Sequence, residues 1–126
     1  VTGSAYVAVA LGGAVGASAR YLVSGLVYTR FGVGFPYGTL AVNVVGCFLI
    51  GIVMEMGEGR YLIPPGVRLF LTVGLLGGFT TFSTFSYETL GLMRDGQFGP
   101  AAINAVGSVA LGLVAAWGGM VVGRGV

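Results

Sequence analysis

The stretch GGFTTFSTFSYE, Gly77 to Glu88, sets a run of hydroxyls, three phenylalanines and a carboxylate inside an otherwise apolar chain. It belongs to a segment from Val67 to Met93, longer than the roughly 20 residues that cross a bilayer as a straight helix. Such a segment must tilt or break. Paired glycines tolerate backbone angles that other residues refuse, and Thr and Ser can satisfy backbone groups freed by an interruption. The stretch therefore predicts a third helix broken mid-membrane. Carbonyls left unpaired there and turned inward could coordinate a hard cation such as Na⁺.

The rest of the chain supports a membrane setting. Of its 126 residues, 56% are hydrophobic and 8% charged, 25 are glycine, and the mean hydropathy is +0.95. This composition cannot supply the charged surface of a soluble domain. Apolar runs predict transmembrane helices over approximately residues 4–28, 37–56, 67–93 and 101–122, joined by short turns, so that residues 1–126 form a single all-α integral membrane domain. The first charge is Arg20, so no basic region of a secretory signal opens the chain, and the first helix is expected to be retained. A lone Cys47 in an apolar run reads as packing. The pI near 9.0 rests on dispersed arginines, with no basic patch for nucleic acid.

Glycine spacing and arginine placement bear on assembly. Gly12 and Gly16, Gly74 and Gly78, and Gly119 and Gly123 each fit the small-xxx-small pattern that lets helices approach closely in lipid. With four spans, Arg60, Arg68 and Arg124 fall on one side and Arg30 and Arg94 on the other. That is hardly the bias that fixes orientation. Either the protein inserts both ways and forms an antiparallel dimer, or details beyond a charge count fix one orientation.

With no histidine, no cysteine pair and no carboxylate cluster, an enzyme is not expected. Polar groups within the spans mark function instead. Arg20 in GASARY either snorkels to the interface or draws anions into an aqueous vestibule. Thr39 and Asn43 lie four residues apart and share a helical face. Asn43 suits an anion or a neighbouring helix, the interhelical bond being the commoner use of such a residue. Asn104 and Ser108 repeat this spacing in the fourth span. Phe82 and Phe85 share a face beside a polar row of Thr81, Thr84 and Glu88. Paired aromatics usually pack, but their positive ring edges can also face a small anion. A fixed cation there would hold the anion too tightly for conduction.

Together GGFTTFSTFSYET, YGTLAVNVVGCFLIG and GASARY resemble the Fluc (CrcB) fluoride channels, small four-helix membrane proteins of prokaryotes, over nearly the whole chain. The resemblance implies an antiparallel, dual-topology homodimer in the plasma membrane, with two pores and passive export of cytosolic fluoride. It further implies that Phe82 and Phe85 line the path by ring edges and that Asn43 hydrogen bonds the ion. Ser83, Thr84 and Glu88 would form a polar track, with Arg20 in a vestibule. The carbonyls of Gly77 and Thr80 from both subunits would hold a structural Na⁺. Thr39 and Ser108 join the path by their faces; in the fourth helix the likeness is loosest, so Asn104 contacts either the ion or a neighbour. The alternative is a proton-coupled multidrug exporter of four-helix type. Such an exporter requires a carboxylate in the first helix, where this chain has Arg20. No nucleotide-binding loop is present, in keeping with passive transport.

Overall fold

The computed structural model describes residues 2–125. Among these residues lie four helices long and apolar enough to cross a membrane: α1 (Gly3–Phe31), α2 (Tyr37–Gly59), a third span (Pro65–Arg94) and α4 (Phe98–Gly125). The chain is a multi-pass membrane protein. The third span divides into α3a, residues 65–79, and α3b (Phe82–Arg94), separated by Thr80 and Thr81 in extended conformation. The interruption falls at the middle of the span, immediately after Gly77-Gly78-Phe79.

Local chemistry sets each end. Thr2 caps α1, its side chain accepting from the Ala5 amide at 3.2 Å. Gly32, at φ 87°, lets the chain leave α1 while its N–H returns to the Tyr28 carbonyl. These capping turns carry the helices a few residues past the apolar windows. Pro65 occupies the first turn of α3a, where its missing N–H costs nothing. At the interruption Thr81 caps α3b by accepting from the Thr84 amide. The last turn of α2, Glu55–Gly59, and the middle of α3a, Phe70–Leu76, are π-helical.

The helices pack in two close pairs, α1 on α3a and α2 on α4. Glycine makes both approaches possible. A side chain at Gly12 would meet backbone of α3a, including the Gly74 Cα at 2.9 Å, and one at Gly16 would strike the Leu75 carbonyl. A side chain at Gly78 would lie 2.8 Å from the Gly13 carbonyl. On the other side, Gly51 abuts the Ala116 carbonyl and Gly119 the Phe48 carbonyl. Small residues at helix contacts are the means of close association in lipid. α3b packs chiefly on α4, with few contacts to α2. The buried apolar set is small: Val42, Leu76, Phe79, Leu92 and Ala101. Most large apolar side chains point outward, as they do where the surroundings are hydrocarbon.

Gly16→Ala is expected to lower stability by about 1–3 kcal/mol, the usual cost of overpacking. Gly25→Ala, whose new methyl meets nothing within 4 Å, should leave it unchanged or slightly raised. Thermal unfolding of the two variants in one detergent checks the difference.

Candidate functional site

The interruption frees backbone groups in the middle of the third span, and side chains from three helices take them up. Asn43 of α2 pairs with Thr81 twice. Its Oδ1 accepts from the Thr81 amide at 2.8 Å, and its Nδ2 donates to the Thr81 carbonyl at 3.0 Å. Within α3a the Leu76 carbonyl accepts from the Thr80 amide at 3.0 Å and from the Thr80 hydroxyl at 2.9 Å. Arg20 of α1 donates from Nε to the Gly78 carbonyl at 2.9 Å. The guanidinium thus spends one donor on the end of α3a, where carbonyls carry the negative end of the helix dipole.

One helical turn nearer the start of α2 lies a second polar contact. Tyr28 of α1 donates to Glu88 Oε2 at 3.0 Å and accepts from the Thr39 amide at 3.4 Å. The Thr39 hydroxyl is 3.3 Å from the same Tyr28 oxygen. The other Glu88 oxygen, Oε1, is buried and has no hydrogen-bond partner among the described residues. The sequence pairs of the polar row and of Thr39 with Asn43 are therefore two rungs of one ladder: Thr81 against Asn43, and Glu88 against Tyr28 and Thr39.

Beside this ladder lies a cleft of about 360 Å³ between α2, the two halves of the third span and α4. Asn43, Phe82, Phe85 and Ser108 line it, together with Gly77 and Thr80. The Phe82 and Phe85 rings are 5.7 Å apart and tilted by 43°. Cys47 and Ile50 complete an apolar wall, and Gly46 leaves room for the Thr80 methyl. Among the described residues, no lysine or arginine lines the cleft. Phe82 is 79% exposed in the single chain, so the cleft is open on its flank.

The remaining expected site residues lie outside the cleft wall. Thr39 is buried against Tyr28, and Glu88 sits on the second rung. Thr84 is held by the Thr81 hydroxyl at 3.1 Å, and Ser83 is exposed beside it. Asn104, 2% exposed, donates to the Thr89 hydroxyl at 2.8 Å and accepts from Ser108 at 3.3 Å. Its amide thus ties α4 to α3b, the neighbour contact of the two roles open to it from sequence. Tyr28 and Thr89 belong to the network without having been singled out from sequence, and Thr81, placed there only in the polar row, turns out to be its hub. Arg20, Ser24 and Tyr28 recur every four residues on one face of α1, a pattern that could have drawn attention to Tyr28.

Residues 7–120 match the family described as CrcB-like protein, Camphor Resistance (CrcB). The chain belongs to the CrcB/FluC family. It is 56% identical over 118 residues to the "Fluoride-specific ion channel FluC" of Geobacter metallireducens, covering 94% of this chain and 95% of that one. The protein of the same name from Geobacter sulfurreducens is also 56% identical, over 93% and 94% of the two chains. That of Opitutus terrae is 51% identical over 97% and 94%. The CrcB/FluC match thus takes in all four spans, and the relatives are named as channels rather than enzymes.

Asn43→Ala is expected to leave the Thr81 N–H and C=O without partners, at about 1–3 kcal/mol for a buried unsatisfied group. Hydrogen exchange at the Thr81 amide should speed up markedly, while the Thr84 amide, held by the Thr81 hydroxyl, keeps its protection. Unchanged exchange at Thr81 would show that Asn43 does not hold the interruption.

Proposed function

We propose that this chain is a passive, fluoride-selective ion channel that lets cytosolic fluoride leave a bacterial cell across its plasma membrane. The observation that carries the reading is the cleft, where one amide and two aromatic rings converge without a fixed cation. A small anion entering a membrane protein loses strongly bound water and needs donors in return. Asn43 still has one amide hydrogen after bonding the Thr81 carbonyl, and that hydrogen is the donor offered to the ion. Phe82 and Phe85 offer ring edges, where the quadrupole is positive. Ser108 adds a hydroxyl from the facing helix. Binding of this kind is weak at each point, and conduction requires that the ion leave as readily as it enters. The fluoride named for the relatives agrees with this chemistry.

The open flank argues for a second copy. A cleft whose main aromatic is exposed cannot keep lipid or larger ions out, and an antiparallel homodimer of this chain would close it. Nearly balanced arginines on the two sides permit insertion in both orientations. In such a dimer Thr39, Ser83 and Thr84 would continue the polar route from the cleft along α3b, with Glu88 flanking it, Arg20 at the vestibule end and Asn104 bracing α4.

The donor set at the interruption also fits a structural Na⁺. The carbonyls of Gly77 and Thr80 accept no hydrogen bond among the described residues, and carbonyl oxygens of unwound helix are ligands for such an ion. One chain offers too few of them, so the set would be completed by the second copy. Bound there, Na⁺ would neutralise these carbonyls and fasten the two subunits together.

Liposomes containing the purified protein and loaded with fluoride, read with a fluoride electrode, test the function. The expected result is rapid fluoride efflux with chloride efflux at the level of protein-free vesicles. Equal chloride efflux, or no fluoride efflux, would overturn it. Phe82→Ile should slow fluoride efflux at least about tenfold, the loss of one transition-state contact worth ~1.4 kcal/mol, with the dimer intact by cross-linking.

A further inference from the structure

We propose that Tyr28 is a positioning residue for anion passage: its hydroxyl holds the Glu88 carboxylate against α1 and α2, away from the route along α3b. The inference rests on the channel reading above and extends it to a residue on a different helix. The Tyr28 oxygen sits at a junction of three elements, joining α1 to Glu88 on α3b and to the first turn of α2. α2 has no side-chain cap, since its N-cap residue is Pro36. The Thr39 N–H is one of the donors that a helix start leaves unpaired, and the Tyr28 oxygen accepts it. A phenolic oxygen can accept that bond and donate its own proton onward, which is what Glu88 Oε2 receives. The carboxylate is thereby drawn toward the start of α2, where the helix dipole favours negative charge. Gly38 allows this arrangement, because any side chain there would collide with the Tyr28 ring.

The restraint on Glu88 is one-sided. Oε1 is buried without a partner, so the Tyr28 bond to Oε2 is the single hydrogen bond holding the carboxylate among the described residues. α3b packs mainly on α4, with few contacts to α2. Glu88 lies one turn along the same helical row from Thr84 and two from Thr81, the residue paired with Asn43 beside the cleft. Without Tyr28 the carboxylate can turn toward that row, and a negative group beside an anion's route raises the barrier to its passage. Tyr28 does not touch the cleft, so its effect runs through Glu88.

The test reconstitutes wild type, Tyr28→Phe and Glu88→Gln into liposomes and reads both fluoride efflux and the infrared band of the Glu88 carboxyl group, assigned by its loss in Glu88→Gln. In Tyr28→Phe the band is expected to shift as its hydrogen bond disappears. Fluoride efflux should fall about tenfold, a coupling of ~1.4 kcal/mol within the range for directly bonded residues. A shifted band with unchanged efflux, or an unshifted band, would overturn the proposal. Wild type that carries no fluoride would overturn the channel reading and this inference together, whereas an active wild type with an equally active Tyr28→Phe sinks the inference alone. Should Tyr28→Phe fail to assemble, Gly38→Ala, which keeps the hydroxyl but displaces the ring, is read by the same two measurements with the same expected outcomes.

Discussion

A helix that stops within a membrane leaves N–H and C=O groups that hydrocarbon cannot satisfy, each unpaired group costing several kcal/mol. The third span of this protein stops at Thr80 and Thr81, and the rest of the structure is arranged around that interruption. Asn43 closes on both backbone groups of Thr81, Arg20 reaches the Gly78 carbonyl, and Thr80 and Thr81 use their own hydroxyls on adjacent turns. Glycines at Gly12, Gly16 and Gly46 let α1 and α2 come close enough for these contacts. Remove the interruption and the half-buried Asn43 and Arg20 lose the backbone groups they bond in an apolar chain.

The same interruption generates the features that suit an ion channel. It tilts Phe82 and Phe85 toward Asn43 and Ser108 in a common cleft. It also leaves the Gly77 and Thr80 carbonyls without partners among the described residues, which is why the proposed Na⁺ and the proposed second subunit belong to one argument. Asn43 pins the backbone with two of its hydrogen-bonding groups and has one amide hydrogen left, the one proposed for the anion, so in that proposal the pinning would also aim the donor.

Much of this was legible in the sequence because the signals were local. Span number and the position of the interruption follow from apolar run lengths and from GGFTT, and the glycine pairs mark helices that pack closely, though not which helix each one meets. The meeting of Asn43, Phe82, Phe85 and Ser108 was expected from shared helical faces and a family resemblance. What local signals could not give was the identity of partners across helices. Arg20 could be placed at an interface or a vestibule by its charge, but its bond to the Gly78 carbonyl depends on how α1 crosses α3a. Tyr28 escaped notice because a tyrosine near a helix end reads as an interfacial anchor; only the folded chain sets its hydroxyl between Thr39 and Glu88.

The central claim is that the interruption creates a fluoride site in which the Asn43 amide and the edges of Phe82 and Phe85 surround the ion. Solid-state fluorine NMR of wild type in lipid, with dipolar transfer from bound fluoride to labelled Asn43 and Phe side chains, measures this directly. The account predicts transfer to the Asn43 amide hydrogens and to ring-edge protons of Phe82 and Phe85. Bound fluoride whose transfer reaches arginine guanidinium protons and neither of these groups would contradict it.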